Sequence, residues 1–215
     1  MKIQILLILL LLQSVQSTMP IQPKYSPNQI LTIYQIMKDI HELLIKNNIP
    51  YWIAAGSLLG AARHKGFIPW DKDLDIWIPK SYEKDVCNLF LQLEELGYDY
   101  KHGPGFAIQI FKKGEDLHFN PYMDIFFVIK KTGKFSYQIN GFGTRNGEAL
   151  YFTDSEIFPL KEYQFGDIIV FGPNDPIPFL NAAYGKNWPT AYKHILLTEE
   201  DKKPAQPTGP LEDRV

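Results

Sequence analysis

The sequence predicts an α+β fold, a mixed β-sheet with helices packed against it. Three observations carry this reading. Two segments repeat apolar residues at helical spacing, several short segments have the apolar or alternating pattern of strands, and helices and strands do not alternate regularly along the chain. The composition is that of an ordinary globular protein: 215 residues, 45% hydrophobic and 21% charged. That excludes a collagen, a coiled coil and wholesale disorder. There is no internal repeat, and no linker is long enough to divide the chain, so one main domain is expected.

The elements follow in order. Ser26-Pro27-Asn28-Gln29 is a helix start, with serine as cap, proline in the first turn and Gln29 as the capping-box partner. Ile30, Ile33, Tyr34, Met37, Ile40 and Leu44 then form one apolar face. Asn47, Asn48 and Pro50 end the helix. Residues 51–55 read as an apolar strand, Gly56-Ser57 as a tight turn, and 58–63 as one or two helical turns. Residues 73–78 alternate charge with apolar side chains and read as a strand. A second amphipathic helix is expected over 81–96, with Val86, Leu89, Phe90, Leu93 and Leu96 inward and Gly97 as its stop. Further strands are expected at 106–111, 123–129, 149–152 and 167–171, and a short helix at 176–184 closed by Gly185.

The chain ends differ from this middle. Lys2, the apolar run 3–12 and the small residues near Ser17 have the pattern of a secretory signal peptide over 1–17. The run is shorter than the ~20 residues of a membrane span, so no stable span is expected once it is removed; a retained signal anchor is the alternative. The expected location is the secretory pathway, in the Golgi or ER lumen, or outside the cell. The folded domain is placed at 18–198. Residues 199–215 are rich in charge and proline and read as a flexible tail.

Charge and cysteine content narrow the function. Lys+Arg is 22 against Asp+Glu 24, a net charge of −2. A general nucleic-acid binder needs a basic excess to neutralise phosphates, so no nucleic-acid partner is expected. The single cysteine, Cys87, excludes a disulfide framework and a multi-cysteine zinc site.

Chemistry concentrates in two stretches, Gly56-Ser57-Leu58-Leu59-Gly60-Ala61-Ala62-Arg63 and Trp70-Asp71-Lys72-Asp73-Leu74-Asp75-Ile76. A strand that turns through glycine and serine into a helix offers backbone N–H groups and a positive dipole end to a phosphate. Ser57 adds a hydroxyl and Arg63 a charged fork. A plain strand–helix turn with a capping serine is the competing reading of the turn alone. On a strand, Asp73 and Asp75 share one face, with α-carbons about 6.5–7 Å apart. Like charges at that separation call for a neutraliser, and magnesium, which takes carboxylates, waters and substrate phosphates, suits them. Asp71 continues the series at the strand's mouth, where a solvent-facing side chain is expected. Asp124, at the entrance of the apolar run 125–129, is the best third carboxylate, since a lone aspartate entering a buried strand is costly unless paired or metal-bound.

Together these residues resemble the LicD/fukutin-related family of the nucleotidyltransferase-like superfamily. The match is strongest over Gly56 to Ile76. It is looser at Met123-Asp124-Ile125-Phe126, at Phe158-Pro159-Leu160, at Phe165-Gly166 and at Leu180 to Trp188. The resemblance implies a nucleotidyltransferase-like mixed sheet. It implies a metal-dependent phosphotransferase that moves a phospho-substituted group, of the phosphocholine or ribitol-phosphate kind, from a CDP-linked donor to a glycan or glycoconjugate hydroxyl. Asp73, Asp75 and Asp124 match the catalytic, metal-ligating positions, for Mg²⁺ or Mn²⁺. Gly56, Ser57 and Arg63 match the donor-binding positions. Lys72 departs from the acidic residue common between the aspartates and is expected to face away from the metal. Two alternatives stay open, a glycan- or nucleotide-binding pseudoenzyme of the same fold and nucleotidyl transfer proper.

Overall fold

The computed structural model describes residues 23–103, 107–136, 144–145 and 148–190. The expected leader over 1–17, the first residues of the expected domain and the tail over 199–215 lie outside the described residues. The first element is helix α1, Pro27–Lys46, opened by the reciprocal bonds of the capping box. The Gln29 side chain accepts from the Ser26 N–H at 3.0 Å, and the Ser26 hydroxyl accepts from the Gln29 N–H. Its buried face is Ile33, Ile36, Met37, Ile40, Leu43 and Leu44. Asn48 at φ 55° then turns the chain.

Strand β1 is only Trp52–Ile53, shorter than expected, because Ala55 at φ 42° already starts helix α2, Ala55–His64. Strand β2 is Asp73–Pro79. The helix expected over 81–96 is broken. A 3₁₀ turn at Lys80–Tyr82 leads to α3, Glu83–Cys87, and after Asn88 and Leu89 the chain resumes as α4, Phe90–Glu95. The Leu89 N–H bonds back three residues, to the Val86 carbonyl, and that tightening re-aims the second half. Leu96, expected inward, is 48% exposed.

Strands β3 (Tyr98–His102), β4 (Ala107–Lys112) and β5 (Tyr122–Lys131) follow, then β6 (Lys134–Ser136). The strand expected at 149–152 is split between β8 (Glu148–Ala149), which pairs with β7 (Thr144–Arg145), and β9 (Phe152–Thr153). A short capped helix α5 (Asp154–Ile157), the antiparallel hairpin β10 (Lys161–Phe165) and β11 (Ile168–Gly172), and helix α6 (Ile177–Tyr184) complete the described chain.

The main sheet has the order β1-β2-β5-β4-β3, with β6 on the far half of β5 and β9 beside β6. It is mixed: β2 and β5 are parallel and the other pairs antiparallel. Alternation divides its faces. Leu74, Ile76 and Ile78, Met123, Ile125 and Phe127, and Ile108 and Ile110 are buried on one face. There Ile40, Leu43 and Leu44 of α1 meet Val86, Leu89 and Leu93 against Ile110 and Ile125. On the other face Trp77 packs edge-on to Phe152 and Phe179, each 5.5 Å away, which brings β9 and α6 over one end of the strands. The opposite end of that second face, toward Asp73, is polar.

Candidate active site

The site begins with a register. In the parallel pair β2/β5, Asp75 stands opposite Asp124 and Asp73 opposite Tyr122. On β4, Gln109 stands opposite Asp124, and on β3 Lys101 stands opposite Gln109. Residues opposite one another share a face, so the row Asp75, Asp124, Gln109, Lys101 crosses four strands. Asp73 and Tyr122 lie one step away on the same face. The register therefore places the three expected aspartates on one face of two neighbouring parallel strands, and Asp73 and Asp124 are buried.

Each aspartate has its own partners. The Gly56 N–H donates to Asp75 Oδ2 at 3.1 Å, and the Ser57 hydroxyl accepts from the Asp75 N–H at 2.8 Å. The start of α2 is thus fastened to the middle of β2. Ala55 takes its φ of 42° at this point, a conformation rare for a residue with a side chain, and one that persists where surrounding structure dictates it. Gln109 Nε2 donates to Asp124 Oδ1 at 2.9 Å. Lys72 Nζ lies 3.1 Å from Asp73 Oδ2 and donates to the Tyr122 hydroxyl at 3.2 Å. This corrects the expectation that Lys72 turns away. Its α-carbon precedes β2, and the long stem folds back over Asp73 and Tyr122.

Asp71 also departs from the expected solvent-facing role. A β-carbon added at Gly56 would stand 2.4 Å from Asp71 Oδ2 and 3.4 Å from Asp75 Oδ2, so both carboxylates crowd a position that only glycine leaves open. Asp71 Oδ1 accepts the Lys72 N–H.

The electrostatics follow. Burial pushes the Asp75 carboxyl well above the ordinary carboxylate range, and Asp73, Asp124 and Asp71 push it further, against the Gly56 N–H. Burial raises Asp73 against the opposing pull of Lys72. Asp124 is pushed up to about 6, by burial first, with Gln109 opposing and Asp73 adding to the rise. Arg63, near the C-terminus of α2, is lowered to about 10 by burial, with Tyr184 and Asp71 holding its charge in place. Its Nη1 donates to the Trp188 carbonyl at 3.1 Å, tying the segment after α6 to the site. Of the residues expected to bind a donor, Gly56 and Ser57 bond to Asp75 and Arg63 lies near Asp71. Ser57 is buried at 2% exposure.

The donor set is carboxylate oxygen throughout, which fits a hard divalent cation. Among the described residues no three His, Cys, Asp or Glu side chains stand as a preformed metal-holding group. Magnesium needs only one or two carboxylates beside waters and substrate phosphates, so the opposed pair Asp75 and Asp124 meets its minimum. Gln109 and Tyr122 complete the site in ways the motif did not assign. The signal for Gln109 is a lone amide within the apolar segment 107–111.

A mixed sheet with acidic residues in register beside a glycine–serine helix start belongs to the nucleotidyltransferase-like class. Residues 48–175, more than half the chain, match the family model described as LicD/FKTN/FKRP, nucleotidyltransferase domain. The chain belongs to that family. It is 42% identical over 210 residues to an uncharacterised protein of Rickettsia prowazekii, covering 89% of this chain and 75% of that one. It is 38% identical over 68 residues to the lipopolysaccharide cholinephosphotransferase LicD of Haemophilus influenzae, covering 31% of this chain and 26% of that one. It is 29% identical over 160 residues to the ribitol-5-phosphate transferase FKTN of Macaca fascicularis, covering 72% of this chain and 32% of that one. The chain thus spans about a third or less of these two named transferases. Among the described residues no helix is long and apolar enough to cross a membrane.

Proposed function

We propose that this chain is a phosphotransferase that moves a phospho-substituted group, such as phosphocholine or ribitol phosphate, from a CDP-linked donor to a hydroxyl of a glycan or glycoconjugate. The observation that carries the reading is the register of Asp75 against Asp124, with Asp73 one step along β2. Asp73, Asp75 and Asp124 are the residues that would hold Mg²⁺ or Mn²⁺. A bound divalent cation supplies charge neutralisation for the donor's diphosphate oxygens. The chain's own residues supply position. The Gly56 N–H and Ser57 hydroxyl fix Asp75 on β2, and Gln109 orients Asp124. Arg63 brings a fixed positive charge near the cluster for a phosphate-bearing ligand. Asp124, raised to about 6 by burial in the metal-free protein, would share the cation or, in its place, take the proton of an attacking hydroxyl. Catalysis of this kind is positioning and electrostatic stabilisation in the main. The apolar run near the N-terminus supports delivery into a secretory compartment or outside the cell, where glycan acceptors are met.

The test is release of CMP from CDP-choline and CDP-ribitol, with Mg²⁺ or Mn²⁺ and glycan acceptors. Release that Asp75→Asn lowers by roughly a hundredfold or more supports the reading. Donor binding without CMP release would replace it with the pseudoenzyme of the same fold.

A further inference from the structure

We propose that Lys72 is the resident counter-cation of the acidic site, an ammonium that occupies Asp73 in the metal-free protein and that a divalent cation must displace to reach that carboxylate. The inference rests on the proposed metal-binding role of Asp73, Asp75 and Asp124. Three features of the structure support it.

The first is the difference between the partners of the three aspartates. Asp75 is bonded by the Gly56 N–H and Asp124 by the Gln109 amide, both neutral donors. Asp73 is paired with a full positive charge, Lys72 Nζ at 3.1 Å. Neutral donors leave a carboxylate's charge for a metal to use, whereas an ammonium cancels it.

The second is that the lysine is held in place. The Tyr25 hydroxyl, itself buried, donates to the Lys72 carbonyl at 2.6 Å. The Lys72 N–H donates to Asp71 Oδ1 at 2.9 Å. With the backbone fixed at both ends of the residue, the stem arrives over Tyr122, whose hydroxyl takes a second hydrogen bond from Nζ at 3.2 Å. The ammonium therefore has a defined seat between Asp73 and Tyr122.

The third is the asymmetry of exposure. The Lys72 side chain is 60% exposed and that of Asp73 is 8%. The lysine can swing into water with its charge fully solvated, while Asp73 cannot leave. The pair opens by movement of Lys72 alone, as displacement by an incoming cation requires.

The consequence is a metal affinity set by position 72. A cation approaching Asp73 meets the ammonium before the carboxylate, and removing that charge strengthens binding. The exposure of Lys72 and screening by salt keep the effect to roughly fivefold at low ionic strength.

The test is titration of Mn²⁺ alone into the chain, followed by the electron paramagnetic resonance of free Mn²⁺, which needs no turnover. Wild type should bind Mn²⁺ saturably, and Asp75→Asn should weaken that binding at least about tenfold. Lys72→Met should tighten it roughly fivefold, and Lys72→Arg, which keeps the charge, should stay within about twofold of wild type. In an Asp73→Asn background Lys72→Met should have a smaller effect, within about twofold, because the lysine has lost its direct partner and acts on the remaining carboxylates only at a distance. Because Lys72 is largely exposed, its single substitutions are decisive even if Asp73→Asn does not fold. Mn²⁺ binding that depends on Asp75 but is unchanged or weakened by Lys72→Met overturns this inference and leaves the metal reading standing. Absence of Asp75-dependent Mn²⁺ binding in wild type overturns both.

Discussion

Burial, and then Asp73, Asp124 and Asp71, oppose a charge on Asp75, and asparagine there keeps an oxygen for the Gly56 N–H while removing that cost. Asp75→Asn should therefore make the metal-free protein more stable at pH 7.5 while it abolishes transfer. The gain is read as a rise in melting temperature, at roughly 2–4 °C per kcal/mol for a chain of this size. A melting temperature that falls would show that Asp75 holds the fold together rather than straining it. Gly56 offers the complementary case. Alanine adds helix propensity worth about 1 kcal/mol, but its β-carbon would press on Asp71 Oδ2 and Asp75 Oδ2. Gly56→Ala is expected to keep stability within about 1 kcal/mol of wild type and to lower CMP release by about tenfold or more, as the carboxylates are pushed out of register. Calorimetry and the transfer assay on the same preparation separate the two effects.

At the scale of the element, the break between α3 and α4 decides which leucines hold the helices to the sheet. Leu89 sits in the break and is 4% exposed, whereas Leu96, which a straight helix would also bury, is 48% exposed. Leu89→Ala should cost about 2–4 kcal/mol and Leu96→Ala less than about 1 kcal/mol in urea unfolding. Equal losses would mean that the helix runs straight. The break was not legible because 81–96 keeps an unbroken helical period; what breaks it is packing, which the periodicity of one segment does not contain. Helix α1 was legible to its first residue, because a capping box is local chemistry. Strand β2 was legible because alternating aspartates have only one local explanation. Strands β3 and β10 were not, since 98–102 and 161–165 mix tyrosine with charged and amide side chains and carry no clean alternation. The acidic site divides along the same line. Its three aspartates could be read from the strand pattern and the motif. The Gln109–Asp124 bond and the seat of Lys72 depend on which strands become neighbours and in what register, and the local sequence does not specify that.

Across the whole molecule the buried carboxylates give stability an unusual dependence on pH. Asp124 titrates near about 6 in the folded protein and near ~3.9 when unfolded, and Asp73 and Asp75 are raised in the same direction. Between these values the folded chain holds protons that the unfolded chain has released, so stability falls as pH rises through the window. The contribution is fully present below about pH 4 and lost above about 6; for Asp124 alone the difference of about two units corresponds to ~3 kcal/mol. His41 acts in the opposite sense. Burial lowers its imidazole, which faces the Tyr51 hydroxyl, so its contribution is lost as pH falls below ~6.5. The comparison that isolates the acidic site is therefore wild type against Asp124→Asn, since both carry His41. Metal-free, the two should match near pH 4, and by pH 7 the variant should be more stable by about 3 kcal/mol in denaturant titrations. Parallel profiles would show that Asp124 gains nothing from protonation on folding. A divalent cation that binds this face should reverse the trend for wild type, because it takes the place of the protons. At a hundred times its dissociation constant it should add about 2.7 kcal/mol at pH 7.5. That gain should shrink toward pH 5 as protons compete for the same carboxylates, and at the same cation concentration it should be smaller by about 1 kcal/mol or more in Asp124→Asn if Asp124 is a ligand.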